Sequence, residues 1–592
     1  MINYKTKRDL TRFYKSINDP KIEEDKQKIH SLVDEFVKSC KWKIKDFGED
    51  DFLEFFNKKD EISYLMWKIW RFLHFSSALD TQNQDVLKKL WEFEDFVTNQ
   101  SNKLLFVSQE IKQIWYDKLI KFSKKEKLKP YANWFVQSAN SIKYILWEKE
   151  EYVINIKDTA ASNVMENLHE ELTWSFVFRV NVDGKIKVLS EDQVRALRKS
   201  TNPSTRKNAF DAIRKKYLDK KVQITLGNKY ASIVKDRVWE VKLRWYNTVM
   251  EPQNVSEELD NSVVDKLLEQ VEASFHLYHK YLWLKAKILW KNKLAYYDVL
   301  APISSKEKDM PFEQGLEVFL ESMKDFDSEF YDFAVDMFED GRVDVFPKKW
   351  KRGGAFASYS KWFDSFVLLN YSWKQDDVST IAHEMGHAIH WYFSQQQPSQ
   401  VFGTWLSLAE TASVFNELVF VDYLKKSLSK EEKLTLLANM IEDAFATIFR
   451  QIQYVLFERR VHQSFYEWKH LTYKDFNIMW RQEQVKLMWD KVEFDVPEDK
   501  ETTWSGIPHI FAVPFYCYSY AFGNILSFSL YQKYKQDGKD FIPKYKNILK
   551  AGGSQTPYDL LIQNWIDISD KKFFKDGIGT LENMIQEFET IV

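Results

Sequence analysis

Glycine is nearly missing from this chain. There are 16 glycines in 592 residues, where ordinary usage of about 7% would give about 40. Glycine carries a chain through left-handed turns at little steric cost. A chain this poor in it must run in long regular segments or put other residues into its turns, and both signs are present. Segments 23–40, 61–77, 86–122, 206–238, 257–291, 312–339, 430–465 and 577–592 carry apolar residues at helical spacing with few Pro or Gly. Val264, Leu267, Leu268 and Val271 show the i, i+3, i+4, i+7 stripe of a buried helix face. Tryptophan is over-supplied, with 22 residues. Trp350, Trp362 (between two strand-like runs) and Trp373 (just before a helix) stand where turn chemistry asks for glycine. Two readings fit: a Trp-rich protein that is short of glycine, or a gene whose UGA codons mean glycine in the host and have been read here as tryptophan. The second predicts positive φ at one or more of these three positions, and indoles left in solvent.

The rest of the composition excludes whole classes. Lys plus Arg is 85 and Asp plus Glu is 87, a net charge of -2, so no basic excess exists to neutralise phosphates and no nucleic-acid partner is expected. The 45 Phe and 29 Tyr supply a core and exclude general disorder. Two cysteines, Cys40 and Cys517, make no disulfide framework and fit a reducing, cytoplasmic setting. The opening residues 1–16 carry charges and no apolar run, so no secretory signal is visible. Residues 502–532 hold no Asp, Glu, Lys or Arg, yet Pro508, His509, Pro514, Asn524 and several tyrosines point to a protein interior or cleft and not to a membrane. Residues 341–373 are the strand-like exception among the helices. The segment 148–163 is the candidate joint between an N-terminal helical lobe, residues 1–185, and a second domain, residues 186–592.

The sharpest chemical signal is His383-Glu384-Met385-Gly386-His387. On a helix, positions four apart share a face about 6 Å along the axis, so both imidazoles can reach one Zn²⁺. Glu384 then lies beside the metal without ligating it, placed to take a proton from the attacking water. Asp376, Asp377 and Ser379 mark the helix start. The alternative is a helix with two part-buried histidines and a surface glutamate. A catalytic zinc needs a third protein ligand. His390 is seven residues from His383, about 10.5 Å along the axis, too far to share the ion. Glu410 on the following helix-like stretch is the better candidate. Glu417, on the same face, either orients a ligand imidazole or makes a surface ion pair.

HEMGHAIH followed by LAETASVFNE resembles the oligoendopeptidase F branch of the thimet oligopeptidase family of zinc peptidases. KRGGAFASYS, FVLLNYSWKQDDVST, IPHIFAVPFYCYSYAFGN, ENLHEELTWSFVF, STRKNAFDAIRKKY and KLAYYDVLAPI extend the resemblance over most of residues 60–580. Trp245, Trp290, Trp350, Trp362 and Trp373 depart from it, standing where the family has glycine. The resemblance implies a mainly α fold, two helical lobes around a deep channel, with a small zincin-type β-sheet next to the metal-binding helix. It implies one Zn²⁺ held by His383, His387 and Glu410, with Glu384 as general base. It also puts His509, Tyr516 and Tyr518 opposite the scissile bond, where a phenol or imidazole can stabilise the oxyanion. Tyr518 and His509 are preferred to Tyr516, and Tyr516 to Tyr520. Gly353, Gly354, Ala355 and Phe356 resemble the strand edge along which the substrate lies. The neighbouring Lys348, Lys349, Lys351 and Arg352 either attract a peptide carboxylate or form a solvated face, the second being preferred. The implied activity is cleavage of internal bonds in short unfolded oligopeptides. An end-trimming peptidase and a catalytically dead peptide-binding module are the rivals.

Overall fold

A computed structural model describes residues 4–160, 169, 171–304 and 309–592. Residues 161–163 of the expected joint, and part of the ENLHEELTWSFVF stretch, lie outside the described residues. The fold is mainly α, as expected. One apolar core is built from residues between Phe13 and Ala139, including α1 (Lys21–Cys40) and α2 (Glu49–Leu79), and Phe366 from a distant strand joins it. A larger core runs from Tyr230 to Phe588. The expected helix over 86–122 is three helices, Gln84–Asn102, Phe106–Lys112 and Tyr116–Ser123. No described helix is long and apolar enough to cross a membrane.

Two small sheets matter here. β1 (Phe178–Val182) and β2 (Lys185–Leu189) form an antiparallel hairpin. Its turn is Asp183-Gly184, with φ of 51° and 82°. β3 (Val343–Asp344), β4 (Phe356–Ser360) and β5 (Phe363–Leu368) form the sheet expected within 341–373, in the order β3-β5-β4. β5 runs parallel to β3 and antiparallel to β4, so one edge of β4 is open. Arg71 of α2 is fully buried and donates to the carbonyls of Ser358 (3.0 Å) and Asp364 (2.9 Å), tying the N-terminal core to this sheet. Lys351 is not part of a solvated face. Its ammonium is buried, pairs with Asp344 at 2.7 Å and donates to the Phe346 carbonyl at 2.8 Å, which fixes the approach to β4.

The tryptophans are of several kinds, and two contrast sharply. Among the described residues eleven non-glycine residues have positive φ, and eight of them are tryptophan: Trp42, Trp245, Trp290, Trp350, Trp373, Trp468, Trp489 and Trp565. All eight indoles are 50–96% exposed. Four of them occupy the position after a helix C-cap that glycine favours. At Trp245, Trp290, Trp468 and Trp565 the next residue's N–H returns to the carbonyl five positions back, as in Tyr246→Val241 (3.0 Å) and Lys291→Ala286 (2.8 Å). Trp480 and Trp504, by contrast, are buried, and their indole N–H groups donate to Thr503 (2.7 Å) and Asn477 (2.8 Å). Trp362 differs from the expectation: it is absent from the positive-φ set and packs edge-on to Tyr64.

Candidate metal centre and active site

α3 (Gln375–Ser394) carries the pentad. Its start is held by Asp377, which accepts from the backbone N–H of Lys374 (2.9 Å) and Ser372 (2.7 Å). Val378, Ile381, Ala382, Met385, Ala388 and Ile389 bury one face, which leaves His383 and His387 together on another, with ring centroids 4.8 Å apart. α4 (Thr411–Lys425) crosses α3 at Gly386. A Cβ on Gly386 would lie 2.4 Å from the Ala412 carbonyl oxygen and 2.5 Å from Ser413 Cα. Only glycine permits that approach, and the approach is what brings Glu410, just ahead of α4, to the histidines. Glu410 Oε2 is 3.5 Å from His383 Nε2 and 3.5 Å from His387 Nε2. One donor atom from each of the three lies within 4.8 Å of the others. His390 is buried away from this cluster against Trp391.

A set of two imidazoles and one carboxylate fits a zinc ion with an open position. Further groups prepare it. Ser413 Oγ donates to Glu410 Oε2 at 2.7 Å. Glu417 pairs with His383 Nδ1, leaving Nε2 to face Glu410, so the partner of this carboxylate is the imidazole and not a surface cation. Burial opposes charge on His383, but Glu417, with Glu410 and Glu384, outweighs it and raises the pKa to about 10. Burial pushes His387 down to about 4. Burial would raise the Glu410 carboxyl, but His387 and His383 outweigh it and hold it below the usual range. Glu384 is 6% exposed with Oε2 unpartnered, and burial lifts its carboxyl to about 7. An orphaned buried carboxylate oxygen beside a metal-type donor cluster is a costly arrangement in a resting core and an apt one for a group that receives a proton.

The segment after His509 corrects the expectation for Tyr518. The chain is helical in α6 (Tyr518–Asp537), which packs against α5 (Arg450–Tyr466), so side chains share a face every four residues and do not alternate. Tyr518 is 0% exposed, packed in the core with its hydroxyl unpartnered. Tyr516 and Tyr520 share the other face, with ring centroids 4.9 Å apart and their hydroxyls hydrogen-bonded. His509 lies 6.0 Å from the Tyr516 ring and 5.9 Å from the Tyr520 ring. Burial raises the pKa of both phenols, and the Glu410 charge adds to it; Gly523 of α6 packs on Glu410, a Cβ there lying 3.1 Å from the Glu410 Cβ. Phe515 takes φ of 66°, and its N–H donates to the buried Glu458 at 3.0 Å. That strained residue re-aims the chain just before Tyr516.

Gly353 and Gly354 lead into the open edge of β4. Gly354 has φ of 73°, and Asn370 donates to its carbonyl at 2.7 Å. Ala355 is partly buried, Phe356 begins β4, and the Ala357 N–H faces the Glu384 carboxylate.

This helix pair, with its carboxylate partner, has counterparts in known proteins. Residues 196–580 match peptidase family M3. The chain belongs to peptidase family M3. Oligopeptidase PepF of Bacillus subtilis (strain 168) is 26% identical over 574 residues, covering 96% of this chain and 84% of the relative. An oligoendopeptidase F homolog of Borreliella burgdorferi is 26% identical over 564 residues, covering 93% of each. The structure of oligoendopeptidase-F from Enterococcus faecium matches with a TM-score of 0.73 at 21% identity, covering 96% of this chain and 98% of that one. A solved chain from Chlamydophila abortus reaches 0.85 at 24% identity, covering 99% and 98%. The resemblance to the oligoendopeptidase F branch therefore stands, and this member of family M3 is a metallopeptidase enzyme.

Two expected results follow from the geometry. Gly386→Ala must push α4 away, and overpacking of this kind costs about 1–3 kcal/mol. The variant is expected to lose zinc to a mild chelator at least about tenfold faster than the parent, because metal sites tolerate little displacement; metal content after timed dialysis checks it. Tyr520→Phe is expected to lower kcat by about tenfold or more with a smaller change in KM. Tyr518→Phe, which removes an unpartnered hydroxyl buried in the core, should leave kcat within about twofold. Steady-state kinetics on one peptide compare the two, and the reverse order would put Tyr518 back in the site.

Proposed function

We propose that this chain is a zinc-dependent endopeptidase that hydrolyses internal bonds of short, unfolded oligopeptides in the cytoplasm. The observation that carries the reading is the convergence of His383, His387 and Glu410 beside the unpartnered, buried carboxylate of Glu384. When bound, zinc would polarise the scissile carbonyl and lower the pKa of water toward about 7. Glu384 takes the proton of the attacking water and returns it to the leaving amine. Tyr520, Tyr516 and His509 supply hydrogen-bond donors to the developing oxyanion. Glu417 holds the His383 ring in its ligating tautomer. The substrate lies extended along the open edge of β4 from Gly353, Gly354 and Ala355 to Phe356, adding main-chain hydrogen bonds to the sheet. All these groups lie within residues 186–592, which form the catalytic domain; the expected boundary after residue 185 falls inside β2, and because Phe178, Val180 and Val182 of β1 share a core with Val194, Ala209 and Ile213, the β1–β2 hairpin belongs with this domain and not with the N-terminal helical lobe.

An internally quenched peptide of about ten residues, blocked at both ends, tests this. Cleavage at an internal bond, abolished by a chelator and restored by zinc, is the expected result. An enzyme that cuts only after the blocks are removed is an exopeptidase, and the reading fails.

A further inference from the structure

A cavity of about 440 Å³ opens beside His509, and its walls carry an unusual excess of guanidinium. Arg195, Arg198, Arg214 and Arg450 all line it, with Asp192 the one carboxylate among the lining residues. Two of the arginines are spoken for. Arg195 Nε donates to Glu191 at 2.9 Å, and Arg214 pairs with Asp495 at 2.8 Å and Asp211 at 3.0 Å. Arg198 and Arg450 have no carboxylate and no hydrogen-bond acceptor among the described residues, and the Nε of each is buried and unsatisfied. Arg198 lies against the Phe210 ring, 5.6 Å from its centroid. Burial lowers its pKa, the neighbouring Arg195 and Arg450 add to that, and the Tyr296 and Tyr454 phenols work the other way. Part-buried, unpaired guanidinium groups are costly in a resting protein. Their planar donor forks match a carboxylate.

We propose that this cavity binds a carboxylate of the substrate peptide, above all its free C-terminal α-carboxylate, through Arg198 and Arg450. The assignment rests on the peptidase reading above. The link to the reaction is His509, which lines the cavity and also packs beside Tyr516 and Tyr520, the second of these on the helix whose Gly523 abuts Glu410. A peptide passing Glu384 and His509 brings one end to the guanidinium pair, and the end with a carboxylate to offer there is its C-terminus. Tyr454 and Trp480 on the same wall give the terminal side chain an apolar surface. Anchoring the end of the chain in this way favours short peptides, because the C-terminus must lie within a few residues of the bond to be cut.

Three peptides of one sequence test the proposal: a free C-terminal acid, its C-terminal amide, and the amide with glutamate as its last residue. The wild-type enzyme is expected to show KM for the plain amide about tenfold or more above that of the acid, with kcat changed less, as for an interaction made equally in ground and transition states. A low KM for the acid alone assigns the terminal carboxylate. A low KM for the glutamate peptide as well, or instead, assigns the same site to a side-chain carboxylate. Arg198→Met and Arg450→Met should each shrink the acid-to-amide ratio towards one. Equal KM for all three peptides on the wild-type enzyme overturns the proposal and needs no variant to fold. An undiminished ratio in both variants, folded by circular dichroism, overturns it as well. If no peptide is cut even with zinc present, the peptidase reading itself has failed and this inference falls with it; cleavage of all three at one KM removes only the carboxylate site.

Discussion

Glu384→Gln is expected to lower kcat by at least about 10²-fold, the low end of what a positioned base contributes, while bound zinc stays at the parent level. The substitution keeps size and shape, and Glu384 is buried on α3 where neither imidazole depends on it for position. The ligand contacts of His383 and His387 with Glu410 do not involve its side chain. Only the ability to take up a proton is lost. The carboxyl is suited to that task because burial lifts it to about 7. A base whose affinity for protons lies near the working pH both accepts one from water and gives it up to an amine. KM is expected to change little, since the amide can still accept the Ala357 N–H that faces Glu384. Glu410→Gln is the contrasting case: it removes a ligand charge and should release metal along with activity. Metal analysis and steady-state kinetics on the two variants separate the roles. A zinc-loaded Glu384→Gln enzyme with kcat within a few-fold of the parent would show that another group carries the proton.

How much of this site was legible beforehand depended on whether the chemistry lay along one element or between several. The pentad was readable because helical geometry alone puts His383 and His387 on one face, and because Asp377 marks the helix start. Glu410 is the better candidate in sequence once the axial rise rules out His390, and the family resemblance implies it. Its actual approach depends on the bare backbone at Gly386, a tertiary fact that spacing does not carry. Residues 515–520 read as alternating aromatics, a strand period, but the chain turns at the strained Phe515 and becomes helical, which puts Tyr518 in the core and packs Tyr520 on Tyr516. Lys351 was misjudged because a run of cations says nothing about which one the fold will bury against Asp344. The β1–β2 hairpin was missed although its signal was present: Asp183-Gly184 between alternating Val180, Val182, Ile186 and Val188 is a favoured two-residue turn. The cavity arginines come from the helix Glu191–Leu197 and its end, from the helix Pro203–Tyr217 and from α5, and nothing in sequence order announces that they meet.

Protein purified from its native host is expected to show glycine masses at Trp42, Trp245, Trp290, Trp350, Trp373, Trp468, Trp489 and Trp565, and tryptophan masses at Trp480 and Trp504. The division follows from backbone and burial together. A tryptophan in left-handed backbone costs about 1–2 kcal/mol, and a large aromatic normally recovers such a cost by leaving water. These eight recover little, with exposures of 50–96%. Four stand where a helix ends with a returning N–H, the place glycine dominates. Trp350 and Trp373 flank the β3-β5-β4 sheet: the Trp350 carbonyl accepts from Thr81 at 2.8 Å, and the Trp373 carbonyl accepts from Met310 at 2.8 Å one residue before the capped start of α3. Their φ values of 68° and 64° therefore help set how α3 enters the fold. Trp480 and Trp504 have the opposite character, with buried rings and donated indole protons, and serve as internal controls. A UGA codon meaning glycine in the host and read as tryptophan accounts for all eight left-handed, exposed tryptophans with one cause. It also predicts a stability difference. In a chain produced with all eight positions as glycine, each site should gain about 1 kcal/mol, the left-handed strain less the extra unfolded-state entropy of glycine. Well-separated sites add, so the denaturation midpoint should rise clearly at an unchanged slope. Tryptophan masses at all eight positions in the native protein would end this account and leave the exposed indoles as true features of the surface.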